Sequence, residues 1–218
     1  MDWEALRLSL LLAVATGLVL IPAGVMVARG LAYADFRGKS IVEAAIAIPL
    51  VLPPTVLGYY LLMAMGGASP LGAFYERMTG SPLAFSFEGL LVGSLIFNLP
   101  FALIPMERAF ESIPVEVRQA AECCGLSWYR TMWRIELPLA WPGIVSALVM
   151  TIAHTVGEFG VVLMVGGNIP GETRTVAISI YDRVQAFDMD AAGAMSAFLL
   201  VFSLVTLALT SRLSRRVW

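Results

Sequence analysis

Charge is scarce in this 218-residue chain: Asp, Glu, Lys and Arg make up 14% of it, against about 25% in soluble globular domains. With 59% hydrophobic residues, that scarcity excludes an ordinary soluble domain and marks a membrane protein. Cysteine is almost missing. Cys123 and Cys124 are neighbours, so no disulfide framework can form and two small residues in a reducing compartment are expected. The lone histidine, His154, cannot build a metal site and is expected to be packed or hydrogen-bonded. The net charge of −2 says little about partners, and no nucleic-acid partner is expected.

Long charge-free windows are what the chain does have. Arg7 to Arg29 encloses about 21 uncharged residues, enough to cross a hydrocarbon core of about 30 Å. Further windows run from Glu43 to Glu76, Glu88 to Glu107, Glu136 to Glu158 and Asp190 to Arg212. They predict an all-α membrane protein, a single domain over 1–218, with five helices near 7–29, 43–65, 88–107, 138–165 and 190–212. Helices satisfy their backbone polar groups internally, as a bilayer requires. The first window is too long, and its start (Met-Asp-Trp-Glu) too poor in bases, for a cleaved signal peptide.

Basic residues collect in cytoplasmic loops. With the N-terminus outside, the inner side receives Arg29, Arg37, Lys39, Arg108, Arg118, Arg130, Arg134, Arg212, Arg215 and Arg216. The outer side receives Arg7, Arg77, Arg174 and Arg183. The asymmetry predicts a cytoplasmic C-terminus, a cytoplasmic 108–137 loop, and outward-facing segments at 66–87 and 166–189.

That loop is a polar island between two apolar spans. Pro114 suits a helix start, Val115–Cys124 is rich in helix formers, and Gly125 suits a left-handed C-cap. Ser127 is a candidate N-cap for a second helix carrying Trp128, Tyr129, Met132, Trp133 and Ile135. Gln119-Ala120-Ala121, Gly125, Leu126-Ser127, Ile135 and Leu137-Pro138 resemble the EAA loop of ATP-binding cassette (ABC) importer permeases, E-A-A-x3-G-x9-I-x-L-P. One position departs: Gln119 stands for Glu, which keeps length and hydrogen-bonding capacity and loses the charge. The resemblance implies a type I, MetI-like permease fold. It also implies a dimer with a second permease copy, and a loop acting as a coupling helix on a pair of cytoplasmic ATPase subunits. Gly38-Lys39-Ser40 is no phosphate loop, because the required upstream glycine falls at Tyr33. The chain is therefore not expected to be an enzyme or to carry a cofactor; ATP and Mg belong to the partner ATPase.

Two further segments bear on the substrate. Pro49, Pro53 and Pro54 interrupt the second span, either as a packing kink or as part of a pathway. Glu158, flanked by Gly157 and Gly160, is costly inside a membrane. It should face a dimer interior or a partner such as Arg174, or else anchor the interface. The proline-rich stretch, Gly157-Glu158-Phe159-Gly160 and Asn168–Thr175 (NIPGETRT) are similar to the molybdate permease branch, with tungstate and sulfate permeases as alternatives. The resemblance implies residence in the inner (plasma) membrane and an external oxyanion-binding protein. Spans nearly free of cations suit weak binding along a route. Ser94, Asn98, Thr151 and Thr155 are expected to offer weak hydrogen bonds to a passing anion, beside Pro53, Pro54 and Glu158. An ion-coupled secondary transporter would need more spans and more embedded charge.

Overall fold

The computed structural model describes residues 1–215, and every described element is a helix. Arg216 and the expected cytoplasmic C-terminus lie outside the described residues. Helix α1 (Trp3–Tyr33) opens on Asp2, whose carboxylate accepts the Ala5 N–H at 3.0 Å. It packs with α5 (Phe87–Glu111) and α8 (Leu137–Gly157) into the central three-helix core. Leu20 and Ala28, Leu103, Met106 and Phe110, and Ala140, Ile144 and Ala147 interlock there. Helix α11 (Met189–Arg215) lies against α8 and α10 (Val176–Gln185).

Four described helices are long and apolar enough to cross a membrane: Trp3–Tyr33, Phe87–Glu111, Trp128–Gly157 and Met189–Thr206. The fifth expected span, 43–65, is not one helix. It divides into α2 (Lys39–Val51) and α3 (Pro54–Met65), bent by 111°. The cause is local. A residue preceding proline is pushed out of the α region, and both Leu52 and Pro53 precede one. Their ψ angles, 137° and 134°, are extended.

The fourth span also departs from the expected 138–165. It begins ten residues earlier. Helix α7 (Trp128–Thr131) passes through a π turn (Met132–Glu136) straight into α8. At the other end α8 stops at Gly157, and a separate short helix, α9 (Gly160–Gly166), packs on α3 and α5. The 66–87 segment holds α4 (Pro70–Thr79), capped by the Ser69 hydroxyl on Gly72 N–H at 2.9 Å. The 166–189 segment holds α10, reached through a loop in which the Ile169 carbonyl accepts the N–H groups of Glu172, Thr173 and Arg174.

Candidate coupling and translocation site

Helix α6 (Val115–Cys123) forms the first arm of the polar island. Pro114 is its N-cap residue rather than its first helical one. At the other end Gly125 takes φ +72°. Its N–H donates to Glu122 O at 2.9 Å and Leu126 N–H donates to Ala121 O at 3.1 Å. Those two bonds are a complete Schellman cap, which requires a left-handed residue where glycine stands. Ser127 occupies the N-cap position of α7 without a side-chain capping bond. Ala121 is buried, whereas Gln119, Ala120, Glu122 and Cys123 are exposed along the outer side of α6. Leu126, Ile135 and Leu137 are half-buried, and Ser127 and Pro138 exposed. Pro138 lines an apolar groove with Pro22, Met26, Trp133 and Trp141.

Ser94, Asn98, Thr151 and Thr155 are brought together, and the structure puts all four in the interior between α1, α5 and α8. Asn98 Nδ2 donates to Ser94 O at 2.8 Å and to Thr155 Oγ1 at 3.1 Å, while Thr16 Oγ1 donates to Ser94 Oγ at 3.0 Å. Thr155 Oγ1 donates to Thr151 O at 2.7 Å, and Thr151 Oγ1 is buried without a hydrogen-bond partner. Because a backbone carbonyl can only accept, the Asn98 amide orientation is fixed. Asn98 Oδ1 then faces His154 Nδ1 at 3.1 Å, which makes that nitrogen the donor. The His154 ring is stacked between Phe97 and Phe101, a packed and hydrogen-bonded role.

Pro53, Pro54 and Glu158 gather at a second place. The break between α2 and α3 meets the break between α8 and α9. A Cβ on Gly160 would sit 2.7 Å from Pro54 Cβ, so only glycine permits this approach. Gly157 has open space instead and makes no close packing. Pro53 and Pro54 are exposed. The expected pairing of Glu158 with Arg174 is absent: Glu158 Oε1 accepts Val161 N–H at 2.8 Å and so caps α9. Arg174 is taken by Asn168 Oδ1 at 2.6 Å and by Asp182 at 3.7 Å. A carboxylate at a helix N-terminus satisfies donors that would otherwise be orphaned.

A broken span set against the end of a second, and an amphipathic helix held off one end of the bundle, fit a transport subunit. The profile of the family described as "Binding-protein-dependent transport system inner membrane component" matches residues 20–218. The chain belongs to that family of ABC importer permeases. It is 44% identical to the Azotobacter vinelandii "Molybdenum transport system permease protein ModB" over 94% of this chain and 91% of that one. The Haemophilus influenzae protein of the same description is 35% identical, over 100% and 95%. A "Probable sulfate transport system permease protein cysT" from Chlorokybus atmophyticus is 31% identical, over 84% and 64%. In fold, the chain matches the structure titled "Inward facing conformations of the MetNI methionine ABC transporter: CY5 native crystal form". The TM-score is 0.72 at 18% identity, covering 100% of this chain and 94% of that one. The type I, MetI-like, ModB-type assignment therefore stands.

Charge counting misses one feature of this permease. Arg29 and Arg118 enter the orientation argument as separate loop charges and Glu136 only as the edge of an apolar window, yet the three form a single cluster around the buried Glu136 carboxylate at the α6 end of the bundle. Arg29 Nε donates to Glu136 Oε2 at 2.5 Å and Arg29 Nη2 to Oε1 at 3.2 Å. The available signal was a lone carboxylate against an apolar run, at the same membrane depth as the arginine ending span one.

Proposed function

We propose that this chain is the membrane subunit of an ATP-driven importer of molybdate, forming the translocation pathway as a homodimer in the cell inner membrane. Its N-terminus is outside and its 108–137 loop cytoplasmic. The observation that carries the reading is α6 itself: a nine-residue helix closed by a Schellman cap, presenting Gln119 and Ala120 to water. Relatives described as molybdenum permeases support the substrate. A cytoplasmic ATPase pair, using ATP and Mg, grips α6. Residues Gln119 to Ser127 make the docking surface, and Ile135, Leu137 and Pro138 join it to the spans. Closure of the pair rocks the dimer between two states, with each ligand favouring one of them.

On this reading the pathway passes the facing breaks at Pro53, Pro54 and Glu158. Irregular backbone at membrane depth is tolerated where it is buried in protein or lines a cavity. The Ser94, Asn98, Thr151 and Thr155 cluster meets the anion when rocking parts α5 from α8. Its hydroxyls and amide offer weak bonds, which suits release. Selection falls to an external binding protein docking on 66–87 and 166–189.

The test is uptake of labelled molybdate, tungstate and sulfate by vesicles holding the chain, its ATPase and the oxyanion-binding protein. Molybdate accumulation that needs both ATP and the binding protein is expected. Accumulation driven by an ion gradient without ATP would overturn the reading, and preferential sulfate uptake would reassign the substrate to the sulfate branch.

A further inference from the structure

Helix α6 is too short to be stable by itself, since isolated helices below about 12–15 residues are marginal in water. Whatever holds it to the bundle determines whether it can act as a lever. Its apolar attachments are small, Val117 against the core and the buried Ala121. Its polar attachment is Arg118. The Arg118 guanidinium lies 3.6 Å from the centroid of the Tyr33 ring, and its Nε is 3.4 Å from Glu136 Oε1. Tyr33 ends α1 and donates its hydroxyl to Phe110 O of α5 at 3.2 Å. Glu136 is 0% exposed and is also held by Nε and Nη2 of Arg29, one on each carboxylate oxygen. Three elements thus meet at one carboxylate, α1, α6 and the π turn leading into α8, and Tyr33 ties the joint to α5.

The π turn explains how Glu136 gets there. Arg29 touches two residues of the α7–α8 helix, Glu136 and Trp128, whose ring centroid is 6.0 Å from the guanidinium. They are eight residues apart. In a regular α-helix that spacing puts them about 80° apart around the axis; one extra residue in a π turn removes a step of about 100° and leaves about 20°. Both then face the same guanidinium. The irregularity at Met132–Glu136 is the geometric condition for the cluster.

We propose that Glu136 and Arg118, seated on Arg29 and Tyr33, are the joint that fastens the α6 lever to the spans. Arg118 is a positioning residue. It makes movement of α6 arrive at the ends of α1 and α8 together. This inference rests on the coupling role proposed above and adds the element that transmits it.

The test uses Arg118→Ala and Arg118→Lys in the full chain in lipid nanodiscs. Arg29 is left to hold Glu136, so the core pair is retained. Hydrogen exchange over 115–126 is read by mass spectrometry. Alanine should speed it about tenfold, because a helix released from its anchor opens more often, while exchange across Phe87–Glu111 stays as in the wild type. Lysine, which keeps the charge and loses the planar stack, should fall between. With the ATPase present, the alanine variant should retain the subunit yet hydrolyse several times more ATP per anion moved. Unchanged exchange over 115–126 overturns the joint, as does faster exchange with unchanged ATP per anion. If even the wild-type chain retains no ATPase, the coupling reading fails, and the exchange measurement still decides whether Arg118 anchors α6.

Discussion

Replacing Gly125 by valine isolates the turn from everything around it. A Cβ built on Gly125 meets nothing within 4 Å, so the substitution creates no clash with neighbours. The whole cost is conformational. Left-handed backbone costs an L-residue about 1–2 kcal/mol, and a β-branched side chain sits at the upper end. Abandoning that conformation instead forfeits the bonds from Gly125 N–H to Glu122 O and from Leu126 N–H to Ala121 O. Either way the ratio of correctly closed to open α6 falls about tenfold, since about 1.4 kcal/mol is a factor of ten in an equilibrium constant. The spans are untouched, so insertion and thermal stability of the membrane core should match the wild type. In vesicles with the ATPase and binding protein, Gly125→Val should cut anion uptake by up to about tenfold and raise the ATP consumed per anion. Gly125→Asn should retain most uptake, because asparagine tolerates the left-handed region. Normal uptake and stoichiometry in the valine variant would refute the reasoning, and so would an equal loss in the asparagine variant.

Glu158→Ala should destabilise the α9 start by about 0.5–2 kcal/mol, whereas Glu158→Gln, which keeps an acceptor for Val161 N–H, should lose less; melting of the purified chain distinguishes them. Gly160→Val, aimed at a ring 2.7 Å away, should force the two breaks apart at about 1–3 kcal/mol and lower both melting temperature and uptake. Asn98→Leu strips the buried partners of Thr155 and His154 and should cost about 1–3 kcal/mol, read in the same melt. Gln119→Glu should assemble with the ATPase and transport as the wild type does, since the residue is exposed; loss of co-purification would show that the amide itself is recognised.

Charge-free windows locate the apolar spans because desolvating a charge is costly at membrane depth. The expected 7–29, 88–107 and 190–212 lie inside helices 3–33, 87–111 and 189–215. The helix-turn-helix of the island was equally legible, since Gly125 and the motif spacing are local signals. What was not legible is set by contacts between distant residues. Pro53-Pro54 announces an irregularity but not its angle of 111°. Nothing local tells a kink from a re-entrant turn. Glu158 reads as a costly charge that faces a dimer interior or a partner such as Arg174, or anchors the interface, and the sequence does not show that an N–H group of α9 is its partner. Ser94, Asn98, Thr151 and Thr155 are legible as polar groups expected to meet a passing anion, but helix phase alone does not reveal that they bond to one another. The π turn at Met132–Glu136 has no composition signature, and without it Glu136 could not be matched to Arg29.

The run from Trp128 to Gly157 is unbroken over 30 residues, about 45 Å of rod at 1.5 Å per residue. Such a length exceeds the roughly 30 Å of the hydrocarbon layer, so an angle set at its tryptophan end is carried along the helix to the break. A tilt of only about 5° at the tryptophan end sweeps the far tip through about 4 Å, the width of a small ion. Stiffness ends where Glu158 begins, which places the greatest excursion of the rod beside the Pro54 ring.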